Sequence, residues 1–476
     1  MKHKISALLL AAASCLTGAA QELRSAYFMQ TSNYKHELNP ALLDSAYVAM
    51  PLLPLGYFNL GTTGNVGAAD FIYKLKPGMP GYGNGYELTT FMNPGVDRQE
   101  FLDGLREKNS LGVYLKYQLF GMGFKGFGGM NSVELNLRSN TNVCLPKDLF
   151  AFMKDTGEED AYDISNIGVL SQNYVELGLG HSRQINEKLR VGGKLKLLFG
   201  LGYANFKAEH LHVGLTEDQW LVNGHASLVG TGFGAKFKYK EGKNYVDPAT
   251  GQVTDRQRID GIDDDNLKAK LGGFGMAIDL GATYQLLPEL KLSAAITDLG
   301  FISWKNTLRA TSKGEWKFDG FKNDIYVDGT DTGHNKIEDQ LDDIGDDLEN
   351  LFSLYDDGTG SSCKALAATL NVGADYELPV YRKLHFGFLY TSRIQGRYSW
   401  HQGMLSANIR PVKAIEVTAN VAASSTGVTC GAVLDLHAPH FNFFIGTDRF
   451  IGKLSKQGIP LHSLNSNVTL GMSFPL

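Results

Sequence analysis

The sequence predicts an all-β fold, a single-chain transmembrane antiparallel barrel of about 14 strands, and three observations carry that expectation. The last ten residues alternate: Val468, Leu470, Met472, Phe474 and Leu476 on one face, Asn467, Thr469, Gly471 and Ser473 on the other. At about 3.3 Å per residue such a strand can cross a tilted outer-membrane hydrocarbon layer. An edge strand of a soluble sandwich alternates in the same way, so this segment alone leaves both readings open. The opposite terminus separates them, because Lys2 and Lys4, the apolar run Ile5 to Ala13 and the small residues through Gly18, Ala19 and Ala20 have the layout of a cleaved export signal. Third, the period-two pattern returns along most of the chain.

Residues 1–20 are therefore expected to be removed, with the mature protein starting near Gln21. No later run reaches the roughly 18 apolar residues that a membrane helix needs. Cys15 follows Ala12, Ala13 and Ser14, which lack the leucine of a lipoprotein signal, so lipidation is not expected. Residues 21–67 contain Pro40, Pro51 and Pro54, too many for an ordinary paired strand, and read as a lumen plug or hatch that runs into the first strand region. In this segment Asn39, Pro40 and Ala41 are the candidate plug and gate residues. Pro40 lacks an N–H and fixes φ, while the Asn39 side chain can satisfy turn backbone groups. Leu38, Leu42, Leu43 and Leu52 are expected to pack on the inner wall.

Residues 68–476 read as the barrel. Val133, Leu135 and Leu137 alternate with Ser132, Glu134, Asn136 and Arg138, and Leu189, Val191, Leu195, Leu197 and Phe199 face away from Arg190, Lys194 and Lys196. The last third is clearest: Leu366, Leu370, Val372 and Tyr376 oppose Thr369, Asn371 and Asp375, and five further alternating segments follow to the end. Tight connections such as Arg410-Pro411-Val412 and Ser424-Ser425-Thr426-Gly427 suit antiparallel neighbours. Three stretches instead repeat at helical spacing, 97–108, 146–154 and 336–354, and are excursions from the wall. The third carries Glu338, Asp339, Asp342, Asp343, Asp346, Asp347 and Glu349 on its polar face, which reads as solvated more readily than as a cation site.

Composition fits this class: 55 Gly serve turns and close backbone approach, and 26 Phe, 21 Tyr and 4 Trp can supply interfacial girdles. A formal charge of -5 argues against a nucleic-acid partner. Cys144, Cys363 and Cys430 remain after the signal, allowing one pair at most, Cys144 with Cys363, or three free thiols. Gly121 to Gly126 spells GxGxxG, but strands flank it on both sides and no helix follows to hold a pyrophosphate. No HExxH, GxSxG or zinc spacing of cysteines occurs. His210 and His212 share a strand face and could ligate a metal with a third partner, but at that spacing a structural or solvated role is favoured. Neither an enzyme, a cofactor nor a metal is expected.

Two runs resemble a known family. Leu38-Asn39-Pro40-Ala41 and the segment Leu290 to Trp304, with Thr297, Asp298, Leu299, Gly300 and Trp304 as its motif, are similar to FadL-type outer-membrane proteins. Phe91-Met-Asn-Pro-Gly95, Gly123 to Gly129 and Leu145 to Phe150 resemble an uncharacterised Bacteroidota barrel family, the domain of unknown function 5723, within the FadL/PorV-like outer-membrane protein superfamily. The resemblance implies a monomeric barrel in the Gram-negative outer membrane, in contact with lipid and lipopolysaccharide and inserted by the barrel assembly machinery. It implies a FadL-like channel for passive uptake of small hydrophobic molecules, or else a non-transporting accessory barrel for protein secretion or surface assembly. The chain ends Phe474-Pro475-Leu476 and not on the aromatic itself, a departure from many outer-membrane proteins. A closed apolar pocket near the plug favours hydrophobic cargo, and a sealed polar core favours scaffolding.

Overall fold

A strand in lipid cannot leave its backbone N–H and C=O groups unpaired, so a membrane-crossing sheet has to close. The computed structural model describes residues 23–49, 56–85, 87–155, 158–215, 220–232, 234–246, 250–263, 270–318, 353–449 and 465–476. Its strands are β1 (Tyr47–Ala49), β2 (Phe58–Gly64), β3 (Ile72–Lys74), β4 (Leu88–Thr90), β5 (Lys108–Gly126), β6 (Gly129–Pro146), β7 (Ala161–Asp163), β8 (Ile167–Gln184), β9 (Leu189–Leu215), β10 (Trp220–Gly232) and β11 (Lys236–Val246). There follow β12 (Val253–Asp263), β13 (Gly273–Leu287), β14 (Leu290–Phe318), β15 (Tyr355–Ala365), β16 (Ala368–Glu377), β17 (Leu384–Ile394), β18 (Trp400–Val412), β19 (Ile415–Ser424), β20 (Gly427–Ala438), β21 (Phe441–Thr447) and β22 (Ser466–Pro475).

β1 and β2 together form one wall strand, each pairing with β5 on one side and β22 on the other. From there antiparallel pairing runs through β5, β6, β8, β9, β13, β14, β16, β17, β18, β19, β20, β21 and β22, closing a barrel of 14 strands. The closure is explicit where Val48 faces Phe474 and Leu60 faces Val468. Short turns lie at one end, and longer loops at the other. At the loop end β9 and β14 run on past β13, and β10 fills the space between them.

The two faces of the wall are inverted relative to a soluble sheet. Leu405 is 64% exposed and Val421 57%, while Asn371, Asn408, Thr418 and Thr469 are buried inside. Apolar outward and polar inward is the pattern that lipid imposes. Leu366 is the exception to the expected alternation. It lies where β15 turns into β16, and that turn swings it inward to 6% exposure against Trp304 and Leu198.

Two helices form at the loop end, α1 (Arg98–Asp103) and α2 (Lys147–Lys154). The first is shorter than the expected 97–108, because Asp97 caps it by accepting from the Glu100 N–H at 2.7 Å and pairing of β5 already begins at Lys108. With the β3–β4 hairpin they enclose a small core in which Phe91 stacks on Phe101 at 4.5 Å, packed against Phe71 and Phe150. The proposed signal, Pro51, Leu52 and Pro54, and nearly all of the third helical stretch lie outside the described residues.

Candidate functional site

The lumen of a barrel this wide must be filled or open, and here the chain's own N-terminal segment enters it. Arg24–Phe28, Lys35–Glu37 and Pro40–Leu42 form three short 3-10 turns, and nearly every residue from Leu23 to Leu43 is buried. Such turns leave backbone groups unpaired, and the wall supplies partners. The N–H groups of Arg24 and Ser25 donate to the Asp448 carboxylate at 2.6 and 3.0 Å, and those of Gln30 and Thr31 donate to Glu416, each at 2.9 Å. Asn371 donates to the Leu38 carbonyl at 3.0 Å, and Tyr34 donates to the Met472 carbonyl at 2.8 Å. Asn39 acts as expected for its type: its side-chain oxygen accepts from the Ala41 N–H at 3.0 Å, and Pro40 opens the turn.

The wall is shaped to receive this segment. A Cβ at Gly192 would collide with the Pro40 backbone, one at Gly281 with the Asn39 side chain, and one at Gly387 with the Phe28 ring. These glycines lie on β9, β13 and β17, on three parts of the wall. Their lack of a side chain lets the segment lie directly on the sheet. Leu38, Leu43 and Ala41 are buried against the wall, and Leu42 is partly so.

Charge holds the middle of the segment. The Glu37 carboxylate takes Lys116 Nζ at 2.8 Å and Lys194 Nζ at 3.0 Å, and Lys194 also reaches Glu134 at 2.6 Å. His36 places Nε2 2.8 Å from Glu134 and 3.2 Å from the Tyr47 hydroxyl, and Nδ1 2.7 Å from the Asn33 carbonyl, so the ring is held on both sides. Burial opposes ionisation of Glu37, but Lys116, Lys194 and His36 outweigh it and hold its carboxyl well below the usual carboxylate range. Deeper toward the loop end a second group continues the network. Arg138 forks onto Asp298 with two bonds of 2.9 Å and also meets Glu176 at 2.9 Å, while Lys196 lies 2.7 Å from both Asp279 and Asp298. Four cations, Lys116, Arg138, Lys194 and Lys196, face five carboxylates, Glu37, Glu134, Glu176, Asp279 and Asp298, and the His36 ring meets Glu134 as well. Each of these carboxylates has a cation within reach, which is what lets buried charges of this kind persist.

The motif of β14 builds part of this network. A bulge opposite Ile278 and Leu280 turns both Thr297 and Asp298 inward, with Asp298 at φ 58° and its N–H donating to Asp279 at 2.7 Å. Leu299 points outward, and Gly300 lies where a Cβ would strike Met276 and Ala277. Trp304 is fully buried, stacked on Tyr203 at 5.2 Å and resting on Gly200. The structure thus brings Asp298 to the core of the network and leaves Asn39, Pro40 and Ala41 one layer away on the glycines of β9 and β13. Lys116, Glu134, Arg138, Glu176, Lys194, Lys196 and Asp279 were not singled out from sequence. Their signal was the wet face of alternating strands carrying opposite charges on neighbours, as where Lys194 sits beside Asp279 in register.

Among the described residues, only His36, Glu37 and Glu134 lie close enough together to hold a metal ion, and Lys116 and Lys194 already occupy the two glutamates. His210 and His212 stand exposed on β9, with His212 3.5 Å from Asp163. The three cysteines among the described residues are free thiols: Cys144 is buried, and Cys363 and Cys430 are exposed. The GxGxxG run lies within β5, with Gly123 making room for Tyr47.

Two of the cavities among the described residues lie beside the plug. One, of ≈ 330 Å³, opens at the turn end between Tyr27, Phe28 and Leu42 of the plug and a polar wall that includes Lys291, Asp375 and His385. The other, of ≈ 50 Å³, lies deeper, between plug residues Arg24 and Leu38 and the wall.

The model of the family of unknown function DUF5723 matches residues 40–448. No curated protein matches the chain. Among solved structures, the toluene transporter TbuX of Ralstonia pickettii aligns with a TM-score of 0.40 and 9% identity over 97% of this chain and 96% of its own. A FadL homologue of Pseudomonas aeruginosa gives a TM-score of 0.38 and 10% identity over 96% of this chain and 98% of its own. The translocator domain of the autotransporter NalP of Neisseria meningitidis gives 0.30 and 7%, covering 97% and 100%. Likenesses at this level do not bear on function.

Proposed function

We propose a function from geometry, since the chain belongs to DUF5723, a family whose function is unknown: an outer-membrane channel for small molecules, non-catalytic, and closed at rest by its own N-terminal segment. The observation that carries this reading is the fit of residues 24–43 to the glycines of the inner wall, Gly192, Gly281 and Gly387. A segment so seated blocks a lumen that would otherwise cross the wall from end to end, and it is joined to the barrel only by noncovalent contacts and its own C-terminal continuation into β1. The apolar outer face meets lipid, and short turns on the periplasmic side with longer loops outside follow the habit of such barrels. Cargo is expected to be amphiphilic and not purely hydrophobic, because the cavities are lined by Lys35, Asp375 and His385 as well as by Tyr27, Phe28 and Leu42.

The test is permeability in proteoliposomes. Deleting residues 24–43 should leave an assembled barrel that admits small amphiphilic solutes, and Gly192→Val, which forces Pro40 off the wall, should give a partial opening. A deletion variant that assembles and stays as tight as the parent would contradict the channel reading. That result would favour a non-transporting accessory barrel for secretion or surface assembly, the second reading, which the polar, ion-paired core supports.

A further inference from the structure

The deeper cavity has a feature that the plug's attachment does not use. Its wall carries four cationic side chains, Arg24, Lys116, Arg138 and Arg393, against one carboxylate, Asp298. Lys116 is engaged by Glu37, and Arg138 by Asp298 and Glu176. Arg24 comes from the plug, donates to Gln402 at 3.0 Å and lies over the Trp400 ring at 4.4 Å. Arg393 of β17 differs from these: it lies over the Tyr114 ring at 4.9 Å, its Nε is buried without a partner, and no carboxylate among the described residues pairs with it. A second buried donor in the same wall is also unmatched, the side-chain Nε2 of Gln172, a residue only 1% exposed.

Arg393 is only partly buried, but a buried N–H without a partner, such as its Nε or the Gln172 Nε2, is costly. Among the unmatched buried side-chain atoms, those on this cavity's wall are both donors, so the missing partner is an acceptor. Water could accept from both, but it would have to donate its own hydrogens in turn and would leave Arg393 without a counter-charge. An anion satisfies donors and charge together. With ≈ 50 Å³ of space, the occupant is a halide or the head of a small carboxylate and nothing bulkier at that point.

We propose that the cavity between plug and wall binds a monovalent anion, carboxylate or halide, held by Arg393 and Gln172 on the wall with Arg24 from the plug. The site is shared between barrel and plug, so the anion acts as one more tie between them. It stands apart from the transport reading, since a plugged scaffold would bind the same ion.

The experiment uses the full-length protein in detergent at constant ionic strength, with methanesulfonate as the bulky filler anion. Thermal unfolding is followed while chloride, acetate or butyrate replaces methanesulfonate. A ligand that binds only the folded state raises the midpoint in a saturable way. The parent should show such a rise with chloride or acetate, and Arg393→Gln should raise the half-saturating concentration at least tenfold, with Arg393→Lys between the two. In methanesulfonate alone Arg393→Gln should lose no more than the small contribution of its contact with the Tyr114 ring, because it breaks no ion pair; an arginine held in a structural ion pair would show a large loss there. Gln172→Leu serves as the second variant and should weaken the response without abolishing it. Saturation by acetate and butyrate below the chloride concentration identifies a carboxylate head group as the occupant, and saturation by chloride alone identifies an inorganic ion. A midpoint indifferent to all three anions, or an equal response in Arg393→Gln, would overturn the proposal.

Discussion

The two halves of the barrel wall hold the same plug by different means. From β5 to β14 the wall strands run to between 15 and 29 residues, and their inner face carries Lys116, Glu134, Arg138, Glu176, Lys194, Lys196, Asp279 and Asp298. From β16 to β22 they are 7 to 13 residues long, and the inner face is mostly neutral, with Asn371, Thr391, Asn408, Thr418, Asn420, Asn442 and Thr469. The first half grips Glu37 through ion pairs, and the second grips backbone through Asn371, Glu416 and Asp448. Ion pairs fix one point strongly, whereas hydrogen bonds to backbone fix the path of the whole segment. The charged half should therefore decide whether the plug stays, and the neutral half where it lies.

Breaking the charged half gives the largest expected effect. Lys194→Met leaves Glu37 and Glu134 with one fewer cation inside the barrel and should cost about 3 to 5 kcal/mol, read as a lower midpoint in heat-modified gel migration. The same substitution on an exposed lysine such as Lys317 should change little. If Lys194→Met matched it, the network would not be what holds the plug.

The next effect separates outside from inside on the neutral half. Arginine at Leu370, Val417 or Leu470 should impair assembly by about 2 to 4 kcal/mol each at mid-membrane depth. Opposite them, alanine at Thr369, Thr418 or Thr469 should be milder. Thr418 and Thr469 donate to Asn408 and Asn59 at 2.8 and 3.1 Å, so each loss should be about 1 kcal/mol. Folding yield in lipid vesicles orders the six variants, and equal tolerance on both faces would contradict a lipid-facing wall.

The smallest effect is a pH dependence confined to the charged half. The Glu37 carboxyl is held below its unfolded value, so its contribution is complete above the ordinary glutamate pKa of about 4.3 and is lost only as pH falls past it toward the lowered folded value. Protease cleavage of the plug in assembled protein should stay constant from neutral pH down to that region and rise beneath it. A rise already between neutral pH and the unfolded value would place the controlling group elsewhere.

The same contrast explains what could be read from sequence. In the neutral half, Leu370 against Asn371 or Val417 against Thr418 shows each residue's face directly, because strands of about 10 residues have little room for irregularity. In the charged half, the strands extend past the membrane, and bulges interrupt the period at Asn173, Ile278 and Gln118. Asp298 was visible as part of a motif, but its role depends on a bulge that turns two consecutive residues inward, and on Arg138, which is distant in sequence. Asn39, Pro40 and Ala41 announced an irregular turn through their own chemistry. The glycines that receive them did not stand out, since a chain with 55 glycines gives no local sign of which ones face a plug.

The central claim, that residues 24–43 sit inside the assembled barrel, is tested most directly by cross-linking. Ser182 Oγ lies 3.4 Å from the Ala41 carbonyl, so Ala41→Cys with Ser182→Cys, in a background where Cys144, Cys363 and Cys430 are serine, brings one thiol from each side to the plug–wall seam. In isolated outer membranes mild oxidation should join them nearly completely, and Ala41→Cys with a cysteine at Val421 on the lipid face should give no product. Failure of the first pair to form in heat-modifiable, assembled protein would mean that the segment lies outside the lumen.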